Sequence, residues 1–388
     1  MSSPRTASRL WTLLALFSLG TSSACGGTPP ETNAAVEPPA EGPKPEPKPD
    51  DASADPKLTD AQPEPEPEPV EVDPWGPVSA EQRAIMLAGD EEQRINTPEH
   101  YVKTNERRHD VWFPYIADKR GIYVGVAADQ NYTLMAVAKA EYAFLMDLDW
   151  RITELHRAYE VLIEASETPQ ALFDRFLAKN ADSSAALIEE ALKDQVSAER
   201  LKQIVMSWKA ARETVYLHLD NVINRDQDGV NTSWLSNPDY YAHVRKLYQS
   251  DRIRHLVGDL TGPNTLQTIA KAAEGLGLPV SVLYLSNAEE YYDYTAQYRS
   301  NIKALPITDS SVVLRTIYSD KWVHADALWN YQVQPLADYK ARLEDPKNSR
   351  RTRMLDNAGK EGVLEKNLET VNGLSRLNIK MLAGWSDG

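Results

Sequence analysis

The chemistry of this 388-residue chain has to come from carboxylates, amides, hydroxyls and imidazoles. Its single cysteine, Cys25, lies near the N-terminus, so the rest of the chain has no thiol for a disulfide, a nucleophile or a zinc site. Neither H-E-x-x-H nor G-x-S-x-G occurs, so the signatures of zinc peptidases and serine hydrolases are absent. His218-Leu219-Asp220 and His324-Ala325-Asp326 join metal-ligating types. Both read as helical, where residues two apart do not share a face, and no metal is expected. Asn224–Leu235 has oxygen-bearing residues at loop positions 1, 3 and 5 and glycine at 6. Position 12 is Leu235 instead of the bidentate Glu of a calcium loop, so a polar turn between helices is expected. His156, on an amphipathic helix, is expected to be packed and hydrogen-bonded.

The remaining candidates are polar residues that end short apolar runs. Gly121–Ala127 (GIYVGVA) is followed by Asp129-Gln130-Asn131, and Tyr142–Leu148 (YAFLMDL) carries Asp147 with Asp149 beyond it. Ile253–Asp259 ends in Asp259, and Val280–Leu285 leads into Ser286-Asn287. Such runs, rich in β-branched and aromatic residues, read as buried strands. In an open α/β sheet, ligands bind beyond the carboxyl ends of the strands. The candidate cofactor-binding set is therefore Gly125, Asp129, Gln130, Asn131, Asp147, Asp259, Asn287 and Glu289; no residue is assigned to catalysis. Asp147 follows Gly125 by 22 residues, the separation at which a carboxylate can reach a ribose hydroxyl. Gly125 stands without G-x-G-x-x-G, so NAD and FAD are discounted. Several of these residues also suit local roles: Asp129 or Asn131 as a helix cap, Asp259 as a strand end, and Ser286 with Glu289 as a capping box.

The elements that position these residues alternate. Strand, helix and strand follow one another within Gly121–Leu148, the unit that builds parallel sheets. A helical section intervenes at about 150–250, with Thr168-Pro169 opening one of its helices. Strands then return at 253, 280, 301–307 and 312–318, with a helix expected over 286–300. Tyr291, Tyr294 and Tyr298 are expected on one packed face of that helix. The last 65 or so residues read as helical and irregular. The expected fold is a doubly wound, mostly parallel, Rossmann-like α/β sheet with a helical insertion.

The blocks GIYVGVAADQNYTLMAVAKAEYAFLMDLD, VGDLTGP, VSVLYLSNAEEYY and NIKALPITDSS with Val312–Arg315, in this order, resemble an uncharacterised family of bacterial proteins. That family is similar in fold to S-adenosylmethionine-dependent methyltransferases, and the resemblance covers roughly 110–320. It implies the fold and, by analogy only, S-adenosylmethionine as cofactor. Asp147 would then hold the ribose, Asp259 would meet the adenine, and Asn287 would lie near the transferred methyl. The first-strand loop departs from the pattern, reading VAADQN where a glycine-rich turn is usual.

The N-terminus bears on that analogy. Arg5 and Arg9 precede an apolar stretch, Leu10–Leu19. It is far shorter than the ~20 residues of a membrane span, so residues 1–24 read as an export signal. Thr21–Cys25 resembles a bacterial lipobox, with Ser22 where an aliphatic residue is usual. This implies acyl chains on Cys25 and a lipid bilayer as partner. Gly26 and Gly27 favour the outer membrane by analogy. Residues 26–74 hold 14 of the 25 prolines and 13 acids against 3 lysines. This is too little apolar mass for a core, and the stretch reads as an extended, disordered Pro/Glu-rich tether of up to about 150 Å.

Residues 75–388 form the folded part. Subtracting the +2 of residues 1–24 and the −10 of 26–74 from the total of −15 leaves it −7, which argues against nucleic acid as a partner. S-adenosylmethionine is a cytoplasmic metabolite that an exported protein does not ordinarily meet. The expected function is thus a membrane-anchored envelope lipoprotein acting as a binding module for an unidentified small molecule or envelope protein. The alternative is a methyltransferase of unknown acceptor.

Overall fold

The computed structural model describes residues 73, 75–366, 368 and 371–386. The chain divides into two units, Met1–Glu68 and Pro69–Gly388, and every described residue belongs to the second. Cys25, the leader and nearly all of the Pro/Glu-rich stretch lie outside the described residues.

Ten strands occur among the described residues: β1 Ile122–Val126, β2 Tyr142–Asp147, β3 Asp226–Gln227, β4 Val230–Asn231, β5 Ile253–Val257, β6 Val280–Tyr284, β7 Val312–Ile317, β8 Asn330–Pro335, β9 Leu364–Glu365 and β10 Leu374–Leu377. Eight form one sheet in the order β5-β2-β1-β6-β7-β8-β10-β9. β5, β2, β1, β6 and β7 run parallel, β8 is antiparallel to β7, and β10 is parallel to β8. The chain builds outward from β1 to β5 on one side, then returns to β1's other side with β6. The gap between the loops after β1 and β6 is therefore the switch point of a doubly wound sheet.

Alternation along the strands makes two cores. Tyr123, Ala143, Leu145, Val282 and Tyr284 face a layer that includes helices Gln130–Val137, Trp150–Glu164, Ala198–Ile223 and Pro238–Gln249. Ile122, Val124, Phe144, Met146 and Leu283 face helices Thr265–Leu276, Ala296–Ala304 and Leu336–Glu344. Both faces are covered, as a mostly parallel sheet requires. The helical insertion is present, all on the first face. Its helices begin where sequence places caps: Thr168 accepts from Ala171 N ahead of Pro169, and Asn237 caps Pro238–Gln249.

Several expectations are corrected. Residues 301–307 are not a strand: Thr295 caps a helix over Ala296–Ala304, with Tyr298 and Ile302 on its buried face. The stretch 286–300 is accordingly not one helix but a 3-10 turn, Ala288–Glu290, followed by the start of that later helix. Tyr294 and Tyr298 are packed, while Tyr291 is exposed. The C-terminal part contributes β8, β9 and β10 to the sheet. The polar turn at Asn224–Leu235 holds the β3–β4 ribbon, closed by Asp228-Gly229 at φ +54° and +81°. That turn needs two left-handed residues, which Asp-Gly supplies. His324 and Asp326 lie in an irregular loop instead of a helix; Asp326 accepts from Tyr331 Oη at 2.5 Å.

Candidate functional site

The loop after β1 is locked by its own side chains. Asn131 Nδ2 donates to the carbonyls of Val126 (2.8 Å) and Ala128 (2.7 Å), while its Oδ1 accepts from Tyr123 Oη at 2.8 Å. Ala127, at φ +70°, donates its N–H to Met146 O, and its carbonyl accepts from His156 Nε2 at 2.9 Å. A non-glycine residue held there is strained. Gly125 has a packing reason: a Cβ on it would lie 2.0 Å from Asn131 Oδ1 and 2.7 Å from the Tyr123 ring. Gly125→Ala is expected to cost about 1–3 kcal/mol through overpacking, read as a lower urea midpoint at unchanged slope.

Asp129 and Gln130 point into the helical layer. Asp129 is buried, 2.8 Å from His218 Nε2 and 3.2 Å from Trp234 Nε1. Burial alone would raise its pKa, but the charge and hydrogen bond of His218, with Trp234, hold it down at about 2. It does not cap the next helix through its side chain. Gln130 Nε2 donates to Tyr284 Oη at 3.2 Å, and its Oε1 is buried without a partner. His156 is packed and hydrogen-bonded to Tyr132 Oη at 2.7 Å, and burial lowers its pKa to about 4. Glu289 is buried in an ion pair with Arg315 at 3.1 Å and closes no capping box.

Asp147, Asp259 and Asn287 stay half-buried at the ends of β2, β5 and β6. Asp259 Oδ1 accepts from Thr261 N and Oγ1, each at 2.7 Å. Asn287 Nδ2 lies 3.4 Å from Glu290 Oε2 and 3.3 Å from Tyr291 Oη. Burial pushes the Asp147 carboxyl up to about 7, the N–H of Asp149 opposing and the Asp149 charge adding. A carboxyl whose folded pKa is raised costs stability as pH rises through the window from about 4 to 7. Asp147→Asn is therefore expected to be neutral near pH 4 and stabilising by about 1 kcal/mol at pH 8, discounted for solvent contact. Urea midpoints at the two pH values check it.

Sequence patterning misses the feature that dominates this edge. Residues 90–108 form an extended arm along the carboxyl ends of the strands. Over β5, Glu91 accepts from Val257 N (2.9 Å), and Glu92 accepts from Asn264 N (2.7 Å) and Thr265 N (3.2 Å) at a helix start. Over β2, Ile95 bridges to Asp149, whose Oδ2 meets His100 Nδ1 at 2.5 Å. Over β6 and β7, Glu106 is buried and takes four contacts: Tyr284 Oη (2.8 Å), Ser286 Oγ (2.7 Å), Thr316 Oγ1 (2.9 Å) and His109 Nε2 (3.1 Å). Arg107 N then donates to Tyr331 Oη of β8 at 2.8 Å. Between His100 and Glu106 the arm spans the switch point. Two grooves lie elsewhere: one of about 1090 Å³ between helices Ala181–Leu192 and Ala198–Ile223, and one of about 680 Å³ beside Trp75, Phe113 and Tyr240.

These residues do not fit S-adenosylmethionine. The β1 loop has its backbone groups engaged internally, Asp129 is committed to His218, and burial disfavours the charged form of Asp147. The chain's own carboxylates sit over the strand ends. Among the described residues, no group of three or more His, Cys, Asp or Glu side chains could hold a metal, and no helix is long and apolar enough to cross a membrane.

One solved structure similar in part is the rRNA methyltransferase aviRa from Streptomyces viridochromogenes. It is 11% identical over 55% of this chain and 72% of that chain, with a TM-score of 0.24, and at that score it carries no argument. No curated protein matches. Residues 101–378 match the family described as a domain of unknown function, DUF7790, and the chain belongs to that family.

Proposed function

We propose that this protein is an exported bacterial lipoprotein, held on the envelope by acylated Cys25 and a Pro/Glu-rich tether, whose α/β domain binds a ligand instead of transferring a methyl group. The observation that carries the second half is the arm. Its Glu106 carboxylate fills the donors at the ends of β6 and β7 that a bound small molecule would otherwise use. A cleft whose polar groups are satisfied by the chain gains nothing from admitting a nucleoside there, because the arm's hydrogen bonds would have to be broken first. The apolar leader, the lone cysteine and the acidic, proline-rich stretch support the first half.

Two measurements test the reading. Cells fed tritiated palmitate are expected to label the protein, and Cys25→Ser is expected to abolish the label; equal labelling of both sinks the anchor. Incubated with methyl-tritiated S-adenosylmethionine and envelope extract, the full chain is expected to transfer no more label than a boiled sample. Transfer above that level that is lost in Asp147→Ala would establish the methyltransferase.

A further inference from the structure

A chain of polar contacts runs from the loop after β1 through four elements. His156 Nε2, on helix Trp150–Glu164, meets Ala127 O at 2.9 Å, and its Nδ1 meets Tyr132 Oη of helix Gln130–Val137 at 2.7 Å. Tyr132 Oη lies 2.9 Å from Tyr248 Oη on helix Pro238–Gln249, which lies 3.2 Å from His255 Nε2 on β5. His255 Nδ1 then faces Glu160 Oε2 at 3.8 Å. The four ring side chains are buried. The two imidazoles stack in parallel, their centres 5.4 Å apart and their planes at 8°.

The inner end sets the direction of every proton. A carbonyl only accepts, so His156 Nε2 carries the hydrogen and, in the neutral ring, Nδ1 is bare. That nitrogen accepts from Tyr132, Tyr132 accepts from Tyr248, and Tyr248 accepts from His255 Nε2–H. His255 Nδ1 is then bare toward Glu160. One added proton fits, either on His255 Nδ1 or on His156 Nδ1 with both hydroxyls turned round. A second does not fit. Both rings would then donate inward, one tyrosine O–H would lose its acceptor, and two like charges would stack out of water. The neighbouring carboxylates are taken: Asp129 by His218 and Trp234, Glu154 by Arg94 and Arg200, and Glu160 by Arg157 at 2.6 Å. Arg157 and Arg200 add positive charge beside His255, and Glu164 and Asp251 add negative charge beside Glu160. The Tyr159 ring packs 6.4 Å from His156.

We propose that this chain is an acid-operated latch on the loop after β1: with both rings neutral it holds the Ala127 carbonyl, and uptake of two protons lets the loop go. Ala127 sits at φ +70°, strained for a residue with a Cβ, so the loop relaxes once its hold is lost. The direction follows from burial. A hydrated imidazole in the open state titrates near its ordinary value of about 6.5. In the closed state burial lowers His156 to about 4 and His255 well below its ordinary value. The open state therefore binds more protons in this window, and the closed state, favoured above it, is lost as pH falls. Burial pushes Glu160 up to about 7, which offsets one of the two protons and leaves a net uptake. The latch depends neither on the Cys25 anchor nor on a bound ligand.

The test is amide exchange of the full chain in detergent from about pH 6.5 down to about pH 4.5, across the histidine window. Rates are corrected for intrinsic exchange and read on peptides covering residues 126–132 and 312–317. Protection of the first is expected to fall at least about tenfold per pH unit, the linkage of one net proton, while β7 stays protected. His156→Gln keeps an amide N–H for Ala127 O, and His255→Gln keeps one for Tyr248 Oη, but neither side chain titrates. In each variant loop protection is expected to change less than about threefold over the same range. If a variant does not fold, nitrogen NMR of the histidine rings in the parent decides. His156 and His255 are expected to gain protons well below pH 6.5 and in step with the loop. Flat loop protection in the parent, a fall that merely tracks β7, the parent's slope in either variant, or rings that titrate near 6.5 would overturn the proposal.

Discussion

Glu106→Ala is expected to destabilise the folded part by about 3–5 kcal/mol, the scale for removing one member of a buried charged network. Glu106 is 1% exposed, and its two oxygens hold Tyr284, Ser286, Thr316 and His109. Truncation leaves three hydroxyls and an imidazole in a space closed to water, each costing a share of its desolvation. Glu106→Gln keeps the shape. Its Oε1 still accepts from Ser286 and Thr316, and its amide N–H₂ can donate to Tyr284 Oη, with His109 Nε2 within reach. It is expected to cost about 1–2 kcal/mol. Urea midpoints at unchanged slope measure both. A loss below 1 kcal/mol in the Ala variant would mean that the arm is not pinned where the structure places it. Amide exchange over 101–108 is expected to quicken in the same variants, because this carboxylate is the arm's most buried anchor.

Glu289→Ala is expected to have a comparable effect, about 3–5 kcal/mol. Glu289 and Arg315 both have fully buried side chains, 3.1 Å apart. Glu289 Oε1 also accepts from Tyr339 Oη at 2.7 Å and from Tyr294 Oη. The Arg315 guanidinium reaches Gln334 Oε1 and lies 4.7 Å from the centre of the Tyr339 ring. Removing either partner strands the other charge between β7 and the helical layer. Replacing both, as Glu289→Leu with Arg315→Met, removes the stranding. A double-mutant cycle is expected to show the pair falling short of the summed single losses by at least about 2 kcal/mol. Additive losses would mean that the two side chains do not act as a pair.

Both effects arise where the sequence is least legible, and for one reason. The parallel strands announce themselves because GIYVGVA, YAFLMDL and VSVLYL are buried on both faces and therefore continuously apolar. β8 is buried just as fully but reads NYQVQP. Its inner polar residues bond to neighbouring elements: Asn330 Oδ1 accepts from Ser375 Oγ at 2.7 Å, Gln332 Nε2 reaches the same Ser375 while its Oε1 has no partner, and Gln334 joins Arg315 to Asp338. Hydropathy cannot distinguish such a strand from a loop. Residues 301–307 err in the opposite sense, because Ile302, Leu305 and Ile307 suggest a strand while Thr295, several residues upstream, has already capped a helix.

The candidate site divides along the same line. Sequence spacing places Asp147, Asp259 and Asn287 at strand ends, and the structure has them there, half-buried. Spacing alone does not reveal that Asp129 belongs to His218, 89 positions on, or that Glu289 belongs to Arg315. Glu106 carries no local signature, since three of its four contacts are 178 to 210 residues away.

The central claim is that the arm and the self-bonded β1 loop leave no place for a nucleoside methyl donor at the switch point. Isothermal titration of the full chain with S-adenosylmethionine tests it most directly. The expected result is no saturable heat up to millimolar ligand, in the parent and in Asp147→Ala alike. Submillimolar binding by the parent that disappears in Asp147→Ala would contradict the claim and favour a cofactor-binding role for this edge.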